Sequence, residues 1–308
     1  MTCNPFRGAL LAAALLLGPA AFAAEPGVDL SPEQPGRIRA EKVQAAIDLL
    51  PADTKWVNPG KFTVASVPNR LPFAVYATDT KTPVGGEPDI AQLVADSLGL
   101  ELELVPVAWA DWPLGVTSGK YDAAIHNITV TEERKEKFDF ATYRTDLIGW
   151  YVAKDSPIQK IEKAEDIAGL KVSVVAGTNQ EQILLRWIEE NKAKGLADTE
   201  ILYFDDEAVE DLALASGRLD AYLGPNATSA FKAAREGKRR NVGTLSGGWP
   251  ETAEIAVTLK KGSGLAPAIA AALNAQIANG NYGKALDRWN LSAEAITESR
   301  VNPPGLPK

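Results

Sequence analysis

From Lys61 onward this sequence alternates short aliphatic runs with longer amphipathic ones, and the alternation stops once and then begins again. The first stretch predicts strands over 62–67, 102–107 and 122–127, with helices over 88–98 and 112–118 between them. Strands joined through a helix run parallel, because the crossover carries the chain back to the starting edge, so a mostly parallel sheet is expected. Punctuation agrees. Pro88 and Pro113 fall in first helical turns, where a missing N–H costs little, and Gly99 and Gly119 follow the helix ends. After Lys171 a second unit follows, with strands over 172–175, 201–204 and 221–223 and helices over 180–194, 207–216 and 227–235.

Extended runs over 146–152 and 254–259 separate the units and are read as paired crossings, while helices over 265–278 and 282–289 return the chain to the first unit. The expected fold is α/β with two lobes, each a mainly parallel sheet flanked by helices. Residues 57–147 and 254–308 form the first lobe, ending in a proline-rich tail from Arg300, and 148–253 form the second. A chain of 308 residues, 45% apolar and 23% charged, supplies two cores of an ordinary globular protein.

The front end reads differently. Arg7, an apolar run over 9–17 and the small residues up to Ala23 form the three-part pattern of a cleaved secretory leader, too short to span a bilayer. An extension over 24–56 follows, with a short amphipathic helix expected over 37–50 from the spacing of Ile38, Val43, Ile47 and Leu50. The only cysteine, Cys3, lies in the leader and away from the cleavage site, which excludes a lipid anchor, a disulfide framework and cysteine-held metal. The formal charge of -8 falls by one more unit when Arg7 is removed, so a nucleic-acid partner lacks its electrostatic footprint. Lys238-Arg239-Arg240 reads as a solvated turn.

Two segments carry a resemblance to the polar amino-acid-binding family of periplasmic solute-binding proteins. Gly85, Glu87, Asp89, Ile90, Val94, Ala95 and Leu98 fit one motif, with Gly86 in place of an aromatic and Pro88 in place of an aliphatic residue. Ser118 to Asp122, Ile128 to Arg134 and Phe138-Asp139-Phe140 fit the most specific block, and Gly177-Thr178-Asn179 and Gly217 to Ala221 fit two more. The resemblance implies a Venus-flytrap fold and a monomeric periplasmic component of an ABC importer, which closes on a small ligand and delivers it to a permease of the inner membrane. It implies no cofactor, no metal and no catalytic residue.

It also implies a site. Arg134 would grip a ligand carboxylate with its planar fork, helped by N–H groups at Thr129 and at the turn of Gly177, Thr178 and Asn179, where a helix N-terminus favours an anion. Trp109 stands where the family places an aromatic wall, and Arg70, Asn127 and Asn226 stand at further cleft positions. Taken alone, Arg134 within Glu132 to Lys137 reads as a helix-face charge, and Trp109 as a core aromatic like the neighbouring Trp112. His126, the only histidine, is open to two readings, a structural side chain or a residue at the mouth of the cleft.

Departures bear on the ligand. The acids that hold an ammonium in amino-acid-binding members align with Val67 and Pro225 here, so either Asp79 or Asp111 reaches in or the ligand's amine is masked or absent. Plain lysine, arginine and histidine are expected to bind poorly. A small carboxylate or amino-acid derivative is the expected cargo, and Arg70 leaves room for a second acidic group on it. The alternative is an enzyme on the same fold, resembling a periplasmic cyclohexadienyl dehydratase, with His126 or Asp111 supplying a proton.

Overall fold

Local signals for helix and strand resolve into two sheets in the computed structural model, which describes residues 28–204 and 206–307. The expected leader and the start of the extension lie outside the described residues. The chain forms α1 (Gln44–Ile47), β1 (Lys61–Ser66), β2 (Val75–Tyr76), β3 (Pro83–Val84), α2 (Gly86–Leu98), β4 (Glu101–Pro106), α3 (Trp112–Ser118), β5 (Ala123–Ala124), α4 (Glu132–Lys135) and β6 (Phe138–Thr145). It continues through β7 (Leu147–Ala153), β8 (Lys171–Ser173), α5 (Asn179–Ala193), β9 (Glu200–Leu202), α6 (Glu207–Ala215), β10 (Ala221–Pro225), α7 (Asn226–Glu236) and β11 (Arg239–Ser246). It then returns in β12 (Glu254–Lys260), α8 (Ala266–Ala278) and α9 (Asn281–Asp287).

The first sheet has the order β4-β1-β5-β12-β6 and the second β11-β7-β10-β8-β9. In each, three parallel strands come from the βαβ rhythm and two antiparallel strands complete the edge, so the sheets are mixed. The runs read as crossings are therefore strands: β7 sits inside the second sheet, and β12 inside the first. The actual passages are Asp146 and the segment 247–253. They lie against each other, with the Gly247 N–H donating to the Asp146 carbonyl at 2.8 Å and the Asp146 N–H to the Ala253 carbonyl at 3.0 Å. A Cβ at Gly247 would stand 2.2 Å from an Asp146 carboxylate oxygen, so only glycine admits this approach.

Each lobe has its own core. One face of the first sheet packs Phe62, Val64, Ile125 and Tyr143 against α2, α8 and α9, and the other packs Trp112, Tyr121, Ile128 and Phe140. The second lobe is built on Ile148, Val172, Leu184 and Leu223, with Trp150 stacked on Trp187 at 5.6 Å. Helix α2 is buried along its whole length, and its acids are matched from outside. Asp89 pairs with Arg37 and Arg288, and Asp96 takes both ends of the Arg39 fork at 2.7 Å.

These pairs explain why the extension is mostly extended rather than helical over 37–50, since only Gln44–Ile47 coils. An extended chain carries Arg37 and Arg39 to Asp89 and Asp96 in turn, two ion pairs that a helix would have to give up. The basic cluster is also no solvated turn. Arg239 is buried on Asp211, and Arg240 caps the carbonyls of Ser156 and Ile158 at 2.8 and 2.6 Å. The proline-rich tail lies along the first lobe, its Leu306 N–H donating to the Val130 carbonyl at 3.0 Å and its carbonyl accepting from Glu132 at 2.9 Å.

Candidate functional site

In both lobes the carboxyl ends of the parallel strands face one crevice, the usual place for a ligand in open α/β sheets. The residues after β1, β4 and β5 bring Asn69, Arg70, Phe73, Trp109, His126 and Asn127 to it, and those around β8, α5 and β10 bring Val175, Thr178, Asn179, Gln180, Leu223, Gly224 and Pro225. Together they enclose a cavity of about 60 Å³.

Arg134 stands beside this lining. Thr131 caps the short helix α4, its Oγ1 accepting the Arg134 N–H at 3.1 Å, and the tail braces the cap, since a Cβ at Gly305 would meet the Thr131 carbonyl carbon at 2.6 Å. So fixed, the guanidinium reaches back, donating to the Thr129 carbonyl at 2.8 Å and across the crevice to the Gly177 carbonyl at 3.2 Å. It lies over Trp109 and Trp112, 5.9 Å from each ring centre. Among the described residues no carboxylate forms an ion pair with it. Burial pushes its pKa down to about 10, opposed by Asp146 and Glu133, so it stays charged at neutral pH.

The turn at 126–129 is held from beneath. Asn127 has φ +44°, the left-handed region that asparagine tolerates, and its Oδ1 accepts from the Arg144 guanidinium at 2.7 Å. Arg144 is fully buried between Glu87 and Glu294. Two carboxylates share it, and burial, aided by the nearby charges of Asp146 and then Glu87, outweighs Arg144 and pushes Glu294 up to about 7. His126 is buried edge-on to Phe73 and Trp109, each 6.2 Å away, and its Nδ1 has no partner among the described residues. Burial first, and then the charges of Arg70 and Arg144, push it down to about 3, so the ring is neutral.

Across the crevice, Thr178 caps α5, and the first N–H groups of that helix have no preceding turn to accept them. Asn179 is turned to the crossing instead, donating to Asp146 at 2.8 Å and to the Gly247 carbonyl at 2.6 Å. The Thr129 hydroxyl shares that Asp146 oxygen at 2.8 Å. Gln180 is buried in the wall with its amide oxygen unpartnered, the kind of group a bound ligand would satisfy.

Of the predicted residues, Arg70, Trp109, His126, Asn127, Thr178 and Asn179 line the cavity, while Arg134, Thr129 and Gly177 form the hydrogen-bonded girdle beside it. Asn226 does not reach it, because its side chain is taken by the Tyr151 hydroxyl at 2.8 Å, and Leu223, Gly224 and Pro225 form the wall there. Asp79 and Asp111 do not supply the missing acid. Asp79 closes an exposed turn on Thr82, and Asp111 is exposed outside the lining. Asn69, Phe73, Val175 and Gln180 escaped sequence reasoning, although Asn69 and Gln180 adjoin the predicted Arg70 and Asn179 and Val175 ends a predicted strand. Among the described residues no cluster of His, Cys, Asp or Glu could hold a metal ion.

Comparison with known proteins agrees with this fold. The family described as bacterial extracellular solute-binding proteins, family 3, matches residues 62–292. The L-cystine-binding protein TcyJ of Escherichia coli K12 is 32% identical over 152 residues, which is 49% of this chain and 54% of TcyJ, so the match spans about half of that relative's length. The arginine-bound substrate-binding protein AbpA of Streptococcus pneumoniae, from an amino acid ABC transporter, superposes with a TM-score of 0.65 at 25% identity, over 76% of this chain and 97% of AbpA. An ancestral amino acid-binding protein, AncCDT-1, described as a precursor of cyclohexadienyl dehydratase, gives 0.63 at 26% identity, over 75% of this chain and 95% of its own.

Proposed function

The chain belongs to the bacterial extracellular solute-binding proteins of family 3, and from that premise we propose that it captures a small carboxylate-bearing ligand between its lobes, an amino acid or a derivative of one. It would act as a monomer in the periplasm and hand its cargo to an ABC permease in the inner membrane.

The observation that carries this reading is Arg134: a half-buried, charged fork beside the crevice, tethered to carbonyls of both lobes and, among the described residues, paired with no carboxylate. A ligand carboxylate would supply the missing counter-charge. Because each lobe contributes part of the lining, a ligand that touches both favours the closed arrangement.

Binding is favoured over the dehydratase-like alternative by the state of the possible proton donors. His126 stays neutral down to about pH 3, and Asp111 lies outside the lining, so neither is poised to protonate a leaving group near neutral pH.

Mass spectrometry of ligand released by denaturing freshly purified protein identifies the cargo. Calorimetry with that compound should then show Arg134→Ala weakening binding by about 30-fold to several thousand-fold, the roughly 2–5 kcal/mol lost when a desolvated charge pair is truncated. Arg134→Lys should recover only part, because it keeps the charge and loses the fork. Affinity of the Ala variant within a few-fold of wild type would return Arg134 to a helix-face role.

A further inference from the structure

We propose that Arg70 is a second anion anchor, so that the ligand is a dianion carrying two acidic groups and no free ammonium. This deepens the reading of the crevice as a ligand site and rests on it.

The backbone beneath Arg70 is rigid. Its N–H donates to the Ala74 carbonyl at 2.9 Å and its carbonyl accepts from Ala74 at 3.0 Å, closing the loop. The first two N–H groups of α2, on Gly86 and Glu87, donate to the Pro72 and Phe73 carbonyls of that same loop at 2.9 and 3.0 Å. Gly85 permits this seating, since a Cβ there would stand 2.1 Å from the Phe73 carbonyl oxygen.

The guanidinium is underused. Its one side-chain partner among the described residues is the Tyr222 hydroxyl of the other lobe, at 3.1 Å. That acceptor is neutral, its pKa pushed up to about 12 chiefly by burial. Gly224 makes room for it, because a Cβ at 224 would lie 1.9 Å from the Tyr222 oxygen. Glu207 and Glu210 act on Arg70 from a distance, but no carboxylate among the described residues pairs with it. Four of its five N–H donors therefore remain for something else.

The rest of the lining points the same way. It holds no Asp or Glu, and the second-lobe wall, Val175, Leu223 and Pro225 beside Thr178, Asn179 and Gln180, carries no charged side chain. Of the buried acids, Asp146 is already committed to Thr129 and Asn179, and Glu210 acts on Arg70 only from a distance. An ammonium enclosed here would have no counter-ion, whereas two acidic groups would meet Arg134 at one end and Arg70 at the other. The unpartnered Gln180 oxygen would accept a hydroxyl or amide N–H between them.

Calorimetry tests this with succinate, glutarate and adipate, their half-amides, and 5-aminopentanoate as probes. The best diacid should bind at least about tenfold tighter than its half-amide and than 5-aminopentanoate, the scale of one charge-assisted contact. Arg70→Gln should shrink the diacid to half-amide ratio to about threefold or less. Tyr222→Phe, which removes the cross-lobe contact but keeps the cation, should preserve the preference, so a mere latch between lobes is distinguished from an anchor. A ratio near one in wild type, a ratio that survives Arg70→Gln, 5-aminopentanoate binding as well as the diacid, or no measurable diacid binding would each overturn the proposal. Arg134→Ala separates the two readings: it should weaken diacid and half-amide alike, and if it changes neither while Arg70→Gln still collapses the ratio, the Arg134 reading fails and this one stands.

Discussion

The two faces of the crevice are built on opposite principles. The first-lobe face is cationic and aromatic, with Arg70, Trp109 and His126 over a buried ionic foundation of Arg144, Glu87 and Glu294. The second-lobe face is uncharged, with Val175, Leu223, Gly224 and Pro225 beside the polar Thr178, Asn179 and Gln180 at the N-terminus of α5. On the proposed reading, recognition by charge is thus concentrated on one lobe. The other encloses, excludes water and offers N–H groups, and the lower dielectric it creates strengthens whatever the first lobe does.

The comparison breaks most visibly at the foundation. Arg144→Leu would strand two buried carboxylates and release the Asn127 turn, so a loss of about 3–5 kcal/mol in urea unfolding is expected. A loss under 1 kcal/mol would mean the ionic layer is not what supports the first face. Next in size, Pro225→Asp would give the second face the acid it lacks. Affinity for L-arginine or L-lysine should rise at least about tenfold by calorimetry, while affinity for diacids falls. Unchanged selectivity would show that charge on this wall is not read.

Acid should also separate the faces, because the sequence has one histidine and it lies on the first. His126 is lowered in the fold to about 3 from an ordinary 6.5, so its neutral-state stability is present above pH 6.5 and is lost as pH falls towards 3. Glu294, raised to about 7, pulls the other way, its contribution falling as pH rises from its ordinary 4.5. The readout is therefore a difference. Between pH 6.5 and 5 wild type should lose about 1.5 kcal/mol relative to His126→Phe, and parallel pH profiles would refute a buried neutral imidazole.

The smallest effects come from the caps. Thr131→Ala and Thr178→Ala should each cost about 1 kcal/mol, but in different currencies. The first removes the cap of a four-residue turn that positions Arg134 and should appear mainly in ligand affinity, whereas the second frays the 15-residue α5 and should appear in the urea midpoint. Equal stability losses with no change in affinity for Thr131→Ala would detach that turn from binding.

Much of this was legible in the sequence. Helix α3 falls on the predicted residues, and the Gly99 and Gly119 stops adopt left-handed conformations with φ of +72° and +76°. These features obey local rules, since hydrophobic period, proline position and glycine caps act within a few residues. The place of Arg134 and of the turn at 126–129 beside the crevice could be read only through the resemblance, which rests on a contiguous block; the residues alone suggested a helix-face charge. The β5 strand was overestimated, shrinking from 122–127 to Ala123–Ala124, because its second half is needed for the turn that carries His126 and Asn127.

What the sequence determined by itself is the βαβ elements of each lobe and the absence of acids at Val67 and Pro225, both matters of residue identity and short-range order. What only the tertiary structure decided is which distant residues meet. Arg70 and Tyr222 are 152 positions apart, Arg144 and Glu294 are 150, and the tail that braces Thr131 comes from the far end of the chain. Contacts of that kind follow from how two crossings and two mixed sheets are assembled, and periodicity carries no record of the partner an exposed-looking arginine will find once a second lobe is folded against it.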